Sequence, residues 1–210
     1  MNYTLVGEIT PEMKKNDSLL LAAEIFTQIT YCQGLNQNHG ITTINLITDI
    51  SSPIKYRYDR NYIVSPIELV DIETMHKDGK ELPPDLINRI GFQIRQWLAA
   101  YTMDFLHHNK DEEPMEIAEL LSYRLSDYGK EIPLPIQYLT VMTGKKDDEN
   151  LWDWTDSVHI PALVYYFKEA LEDVKKYHGL ILKIADRIFE KVEFNERETS
   201  NLIKWIEEHM

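Results

Sequence analysis

A seven-residue period in the last third of the chain constrains its fold more than any other feature. Ile160, Phe167, Val174, Ile181 and Ile188 recur every seven residues, and Val164, Leu171, His178, Ala185 and Val192 form a second register offset by four. Apolar residues spaced alternately by four and three lie along one stripe of an α-helix, so this is an a/d heptad seam sustained over more than four heptads. Two positions weaken it: His178 is polar at a d-type site, and Gly179 costs about 1 kcal/mol of helix propensity relative to Ala. The segment is therefore either one helix of roughly 50 Å at 1.5 Å per residue or two helices meeting near His178-Gly179.

An apolar seam has to be covered, and the chain carries helices that can do so. From Pro83 onward, Ile87, Ile90, Ile94, Trp97, Tyr101 and Phe105 step by three or four residues, with Pro84 and Asp85 suited to a first turn. This predicts a helix ending near His107 and His108. A second is expected over 114–128, from Pro114 to Gly129. A last one starts at Asn195, where Asn195 and Glu198 approximate a capping box, and buries Leu202, Ile203 and Ile206. The seam at 160–192 is then either the centre of the protein's own bundle or a helix through which the chain assembles with itself or a partner.

The first 75 residues read differently. Residues 3–9 alternate as a short strand, and 18–32 carry apolar side chains at helical spacing, with Asn16, Asp17 and Ser18 as cap candidates and Gly34 as the closing residue. Residues 41–50 are β-branched and strand-like, and after Ser51-Ser52-Pro53 a period of two sets Ile54, Tyr56 and Tyr58 opposite Lys55, Arg57 and Asp59. The two runs predict a hairpin, with a third strand near 62–72 confined to an edge by Pro66. The turn-rich 76–81 marks the one organisational boundary, between a small α/β lobe (1–80) and a helical bundle (81–210), together one compact unit. In 131–157, Pro133 and Pro135 favour extended chain, and residues 145–150 read as an exposed loop. The fold class expected is α+β, a small antiparallel sheet packed on a mainly antiparallel bundle.

Composition narrows the function. Across 210 residues the formal net charge is −13, from 22 basic and 35 acidic residues, with most of the surplus in the second half. Such a field repels phosphate backbones and anionic membranes and attracts basic surfaces. Cys32 is the single cysteine, which excludes an internal disulfide framework and a cysteine-based zinc site. No secretory signal opens the sequence, and no stretch approaches the ~18 apolar residues of a membrane span. The cytoplasm, of a cell or of a host cell, is the compartment expected. Phosphate-binding glycine loops, the nucleophile elbow and the HExxH zinc motif are absent from the sequence, no cofactor is implied, and no motif is specific enough to name a family.

The candidate sites are of two kinds. Carboxylates cluster at Asp147, Asp148, Glu149, Asp153 and Asp156, and again at Glu169, Glu172 and Asp173. They offer an acidic face for a basic partner, or a row imitating the phosphates of a nucleic acid. Solvated helix faces look the same in sequence. Trp152 and Trp154 sit in the first cluster, either anchoring it to the core or standing as a binding hot spot. His107 and His108 with Asp111, Glu112 and Glu113 supply metal-ligand types. Adjacent histidines diverge on a helix, however, and a solvated helix end explains them equally. Between Lys55 and Tyr62, basic and aromatic residues alternate, which puts rings and cations on opposite faces, against a nucleic-acid stacking platform. The expectation is a non-catalytic acidic protein, an inhibitor, an immunity or antitoxin-like protein or an accessory subunit, that engages a protein with a basic surface. The alternatives are a metal-dependent hydrolase built on His107 and His108, and a structural subunit assembling through 160–192.

Overall fold

The computed structural model describes residues 10–47, 56–108, 134–143 and 160–210. They form an α+β fold of seven helices and one three-stranded antiparallel sheet. The strand expected at 3–9, the helix expected at 114–128 and the loop at 145–150 lie outside the described residues.

Helix α1 (Pro11–Gly34) begins earlier than its apolar run. Thr10 caps it, its hydroxyl accepting from the Met13 N–H at 3.2 Å, and Pro11 fills a first-turn position that needs no N–H. The polar residues 14–17 therefore ride on the first turns rather than preceding the helix. At the other end Gly34 is still helical, and Asn36 takes the left-handed conformation (φ 54°) that asparagine tolerates.

The hairpin forms as expected, in a shorter version. Strand β1 (Ile44–Leu46) pairs antiparallel with β2 (Tyr56–Tyr58), Ile44 opposite Tyr58 and Leu46 opposite Tyr56. Ile44 and Leu46 face inward and Asn45 outward, the period of two that sets the register. The third strand is not at 62–72. That stretch folds into α2 (Pro66–Lys77), because Ser65 and Glu68 close a capping box around Pro66. The Ser65 N–H donates to Glu68 at 2.7 Å, and the Glu68 N–H donates to the Ser65 hydroxyl at 3.3 Å.

Helix α3 (Pro84–His108) matches its predicted span. Helix α4 (Leu134–Thr143) replaces the extended chain expected around Pro133 and Pro135, since a proline in the first turn of a helix forfeits no intrahelical bond. The heptad segment resolves into α5 (Ile160–Lys176) and α6 (His178–Lys191), interrupted by Tyr177 alone. Tyr177 leaves helical geometry (φ −111°, ψ 17°), and its ring packs against Phe26 of α1 at 4.9 Å. At this break the seam changes partner: α5 lies on α3, and α6 lies on α1.

The chain leaves α6 through Val192, at φ 69°. A β-branched residue is costly there, yet its carbonyl accepts the Leu46 N–H at 2.8 Å and starts strand β3 (Glu193–Phe194). Strand β3 pairs with the second edge of β1, giving the order β2-β1-β3, so the C-terminal half completes the N-terminal sheet. Helix α7 (Glu196–Glu207) follows at once, with Asn195 and Glu198 in the anticipated capping box and Leu202, Ile203 and Ile206 buried.

Two apolar clusters fill the interior. One gathers Leu21, Ile25 and Ile29 of α1 with Ile44, Met103, Ile181, Ile188, Phe194 and Ile206. The other gathers Ile63, Ile72, Ile90, Ile94, Leu98, Tyr138 and Phe167. Each draws on both sides of the break at 76–81, so the small lobe and the bundle share their cores. Seam residues Phe167, Leu171, Val174, Ile181, Ala185 and Ile188 are buried within the chain. Introducing an unpaired charge at Val174, which has no exposed surface, cannot be relieved by dissociation of a partner. Val174→Asp is expected to abolish the cooperative thermal transition followed by circular dichroism, leaving no folded species on a sizing column. Conversely, Gly179 lies exposed in the first turn of α6 with open space where a Cβ would stand. Gly179→Ala is expected to stabilise the fold by about 0.5–1 kcal/mol in urea titration.

Candidate functional site

Of the acidic positions read from sequence, Glu169, Glu172 and Asp173 are on α5. Asp147, Asp148, Glu149, Asp153 and Asp156, together with Trp152 and Trp154, lie outside the described residues. The three carboxylates on α5 do not act alike. Glu172 is exposed and pairs along the helix with Lys175 at 3.3 Å, whereas Asp173 turns toward the body of the protein. It accepts the Tyr31 hydroxyl at 2.6 Å and pairs with Arg95 of α3 at 3.4 Å, and Glu169 approaches the same guanidinium at 3.6 Å. Arg95 also covers the rings of Tyr31 and Phe92, at 4.9 and 4.6 Å from their centroids. Burial and the neighbouring Asp173 hold the Tyr31 hydroxyl well above its ordinary titration range. This cluster joins α1, α3 and α5, and only part of its charge faces solvent.

A second charged cluster is more deeply set. Glu24 projects from the middle of α1 and is the one Asp, Glu, Lys or Arg between residues 18 and 48. Its carboxylate accepts the Tyr56 hydroxyl at 2.6 Å and the Tyr58 hydroxyl at 3.1 Å, and it pairs with Arg60 at 3.5 Å. Arg60 in turn donates to the Tyr58 hydroxyl, as does Gln96 of α3 at 2.7 Å. With side chains only 13% and 17% exposed, Glu24 and Arg60 form a nearly desolvated pair. Desolvation raises the Glu24 carboxyl above the usual carboxylate range, against the opposing pull of Arg60 and the two tyrosines. Both tyrosine hydroxyls are pushed well above theirs, chiefly by burial.

The polar chain continues along α3. Gln96 accepts from Gln93 at 3.3 Å, and Gln93 accepts the Ile63 N–H at 2.8 Å. Arg89 donates to the Ile63 carbonyl and to Glu68, both at 2.7 Å. Tyr138 of α4 donates to the Val64 carbonyl at 2.6 Å. Residues 63–65 thus satisfy backbone groups on side chains, which is how an irregular connection can be buried, while the Asp59 and Asn61 N–H groups donate to the Thr43 and His39 carbonyls.

The basic and aromatic stretch is divided as its alternation predicts. Tyr56 and Tyr58 point inward to Glu24, and Arg57 points to solvent on the edge strand of the sheet. Arg60, however, is withdrawn from the surface by its pairing. Among the described residues no three His, Cys, Asp or Glu side chains converge as metal ligands. His107 lies exposed at the end of α3, where it lines a cleft of about 230 Å³ with Lys15, Leu19, Leu182, Ala185, Asp186 and Phe189. Cys32 is buried and its thiol is pushed up to about 11 by desolvation, away from nucleophilic use. No helix among the described residues is long and apolar enough to cross a membrane.

Ile67 and Val70 of α2 are 76% and 62% exposed, a surface that the edge strand expected at 62–72 does not contain and that the Ser65–Glu68 cap creates by starting a helix there. The signal was present as S-P-x-E ahead of an apolar run.

Comparison with protein-family models, with curated proteins and with solved structures finds no significant match to this chain.

The Glu24–Arg60 pair makes a pH prediction. A carboxyl whose folded-state pKa is raised contributes stability at low pH that is lost as pH rises through that pKa. Arg60 opposes the rise, so its removal enlarges the loss. Arg60→Met is expected to cost about 3 kcal/mol at pH 7.5, where Glu24 is charged and unpaired. The deficit should shrink steadily as pH falls toward the ordinary carboxylate value and Glu24 takes up its proton. Urea titrations of both proteins across this range check it, and a deficit independent of pH would show that Glu24 is not the group responsible.

Proposed function

We propose that this protein acts by binding rather than by catalysis, as an acidic inhibitor, immunity or antitoxin-like protein or accessory subunit that engages a macromolecular partner with a basic surface. The observation that carries the reading is how the negative charge is deployed. The arginines set into the fold, Arg60, Arg89 and Arg95, are each matched to carboxylates of the same chain. The surplus of acidic residues is therefore left to the exterior, where Asp71, Asp85, Glu172, Asp186, Glu190, Glu193 and Glu196 are exposed. A surface of this sign accelerates encounter with a basic protein and disfavours contact with phosphate backbones. Supporting it further, the buried ionisable groups Glu24, Arg60, Tyr56 and Tyr58 are committed to one another within the core.

A tagged form of the chain, used as bait in native lysate at low salt and at about 0.5 M salt, tests this. One dominant basic protein retained at low salt and weakened at high salt is the expected result, because screening shortens the reach of exposed charges. Retention of no protein at either salt overturns the reading.

A further inference from the structure

We infer that the outward face of α2 is the docking surface for that partner, and that the segment it takes is an amphipathic helix bearing lysine or arginine. The inference rests on the basic-partner reading and gives it a location. Helix α2 buries Ile72 and half-buries Leu69 and Met75 on its inner side. Its outer side presents Ile67, Val70, Asp71 and Thr74, which at 100° per residue fall on one stripe. Thr74 turns its hydroxyl back onto the Val70 carbonyl at 2.9 Å. Ile67 and Val70 serve neither packing nor helix formation, since they are exposed and β-branched residues are weak helix formers. Large aliphatic side chains held in water on a rigid helix are what an interface requires.

Charge selects the occupant. Along α2 the charged residues are the carboxylates Glu68, Asp71 and Glu73, with one lysine, Lys77, at its last position. Glu68 is committed to Arg89 and Ser65, while Asp71 is exposed beside the apolar pair. Beyond the end of α2, Asp78, Glu81 and Asp85 are exposed as well, with Lys80 paired to Asp78. A second copy of this chain would bring the same carboxylates against each other across a two-fold interface, which like-charge repulsion opposes. A cationic amphipathic helix meets both the apolar pair and its rim. Such a helix can lie along the twelve residues of α2, about 18 Å at 1.5 Å per residue, and a separate cleft opens two residues past the end of α2. That cleft, about 500 Å³, has Leu82, Ile87 and Met142 among its lining residues and can take a further apolar side chain.

The test uses the full chain and a dye-labelled synthetic 18-residue peptide of leucine and lysine, with leucines spaced by three and four. Fluorescence anisotropy is recorded against wild type, against Ile67→Ser/Val70→Ser, and against Tyr165→Ser, which removes an exposed large side chain on α5. Wild type is expected to bind the peptide, and to ignore one in which glutamate replaces lysine. The Ile67→Ser/Val70→Ser variant should lose about tenfold or more in affinity, and Tyr165→Ser less than about twofold. Because both α2 side chains are exposed, the serine variant should melt at the wild-type temperature, so weakened binding is not unfolding. Equal binding by wild type and the serine variant overturns the α2 surface while leaving the basic-partner reading intact. Binding of neither peptide, with a basic protein still captured from lysate, overturns the amphipathic-helix occupant alone. A wild-type dimer in sedimentation that the serine variant dissociates overturns the proposal in favour of self-association.

Discussion

The fold depends on a charge that has nowhere to go but inward. Glu24 sits in the middle of α1, flanked by residues buried in the core, and a helix of this composition cannot turn it to solvent without exposing Ile25 and Phe26. An isolated carboxylate there would be costly to desolvate. Tyr56, Tyr58 and Arg60 resolve it, and all three come from β2 and the turn that follows. Satisfying Glu24 therefore fixes the hairpin on α1. It also fixes segment 59–65 on α3, through Gln96, Gln93 and Arg89. Where that segment lies decides where Ser65 can cap α2, and hence which way α2 faces.

Helices α1 and α3 are the two elements on which the rest is laid. Helix α3 contributes to both apolar clusters, Met103 to one and Ile90, Ile94 and Leu98 to the other, while α5 and α6 divide between α3 and α1. Polar links tie these helices together as well: Arg95 with Asp173 and Tyr31 joins α3, α5 and α1, and Glu24 with Gln96 through Tyr58 joins α1 to α3. Polar networks of this kind stabilise little when averaged against desolvation, but they penalise any packing that leaves a member unpaired. They specify one arrangement of helices whose apolar faces alone would tolerate several.

For the functional surface the consequence is a separation of charges by burial. Cations of the first half that interrupt the acidic exterior in sequence, Arg60, Arg89 and Arg95, have side chains about one-fifth exposed or less. The net charge of the chain is consequently expressed at its surface by carboxylates with fewer intervening cations than the sequence suggests. Asp173 and Glu169 run the other way: read as surface acids, they are drawn into pairing with Arg95. Burial thus redistributes which charges a partner can meet without altering their sum.

By itself the sequence determined what depends on local periodicity and local hydrogen bonding. The span of α3, the seam at 160–192, the pairing of 44–46 with 56–58 and the Asn195–Glu198 cap were all legible, because a helix or a hairpin is chosen by neighbours a few residues away. Even the Glu24 problem was visible as a lone charge in a long uncharged stretch, although its partners were not. Only the tertiary structure decided the rest. Strand β3 is two residues long and follows a valine at positive φ, a combination with no sequence signature, and it exists because β1 offers it an unpaired edge. The seam breaks at Tyr177 because one helix cannot lie on α3 and α1 together. Apolar residues stand on both sides of α2, so which side is buried follows from where Glu24 and Gln93 have anchored the chain ahead of it. Contacts between residues far apart in sequence are set by the simultaneous satisfaction of buried polar groups, a condition that only the assembled fold can state.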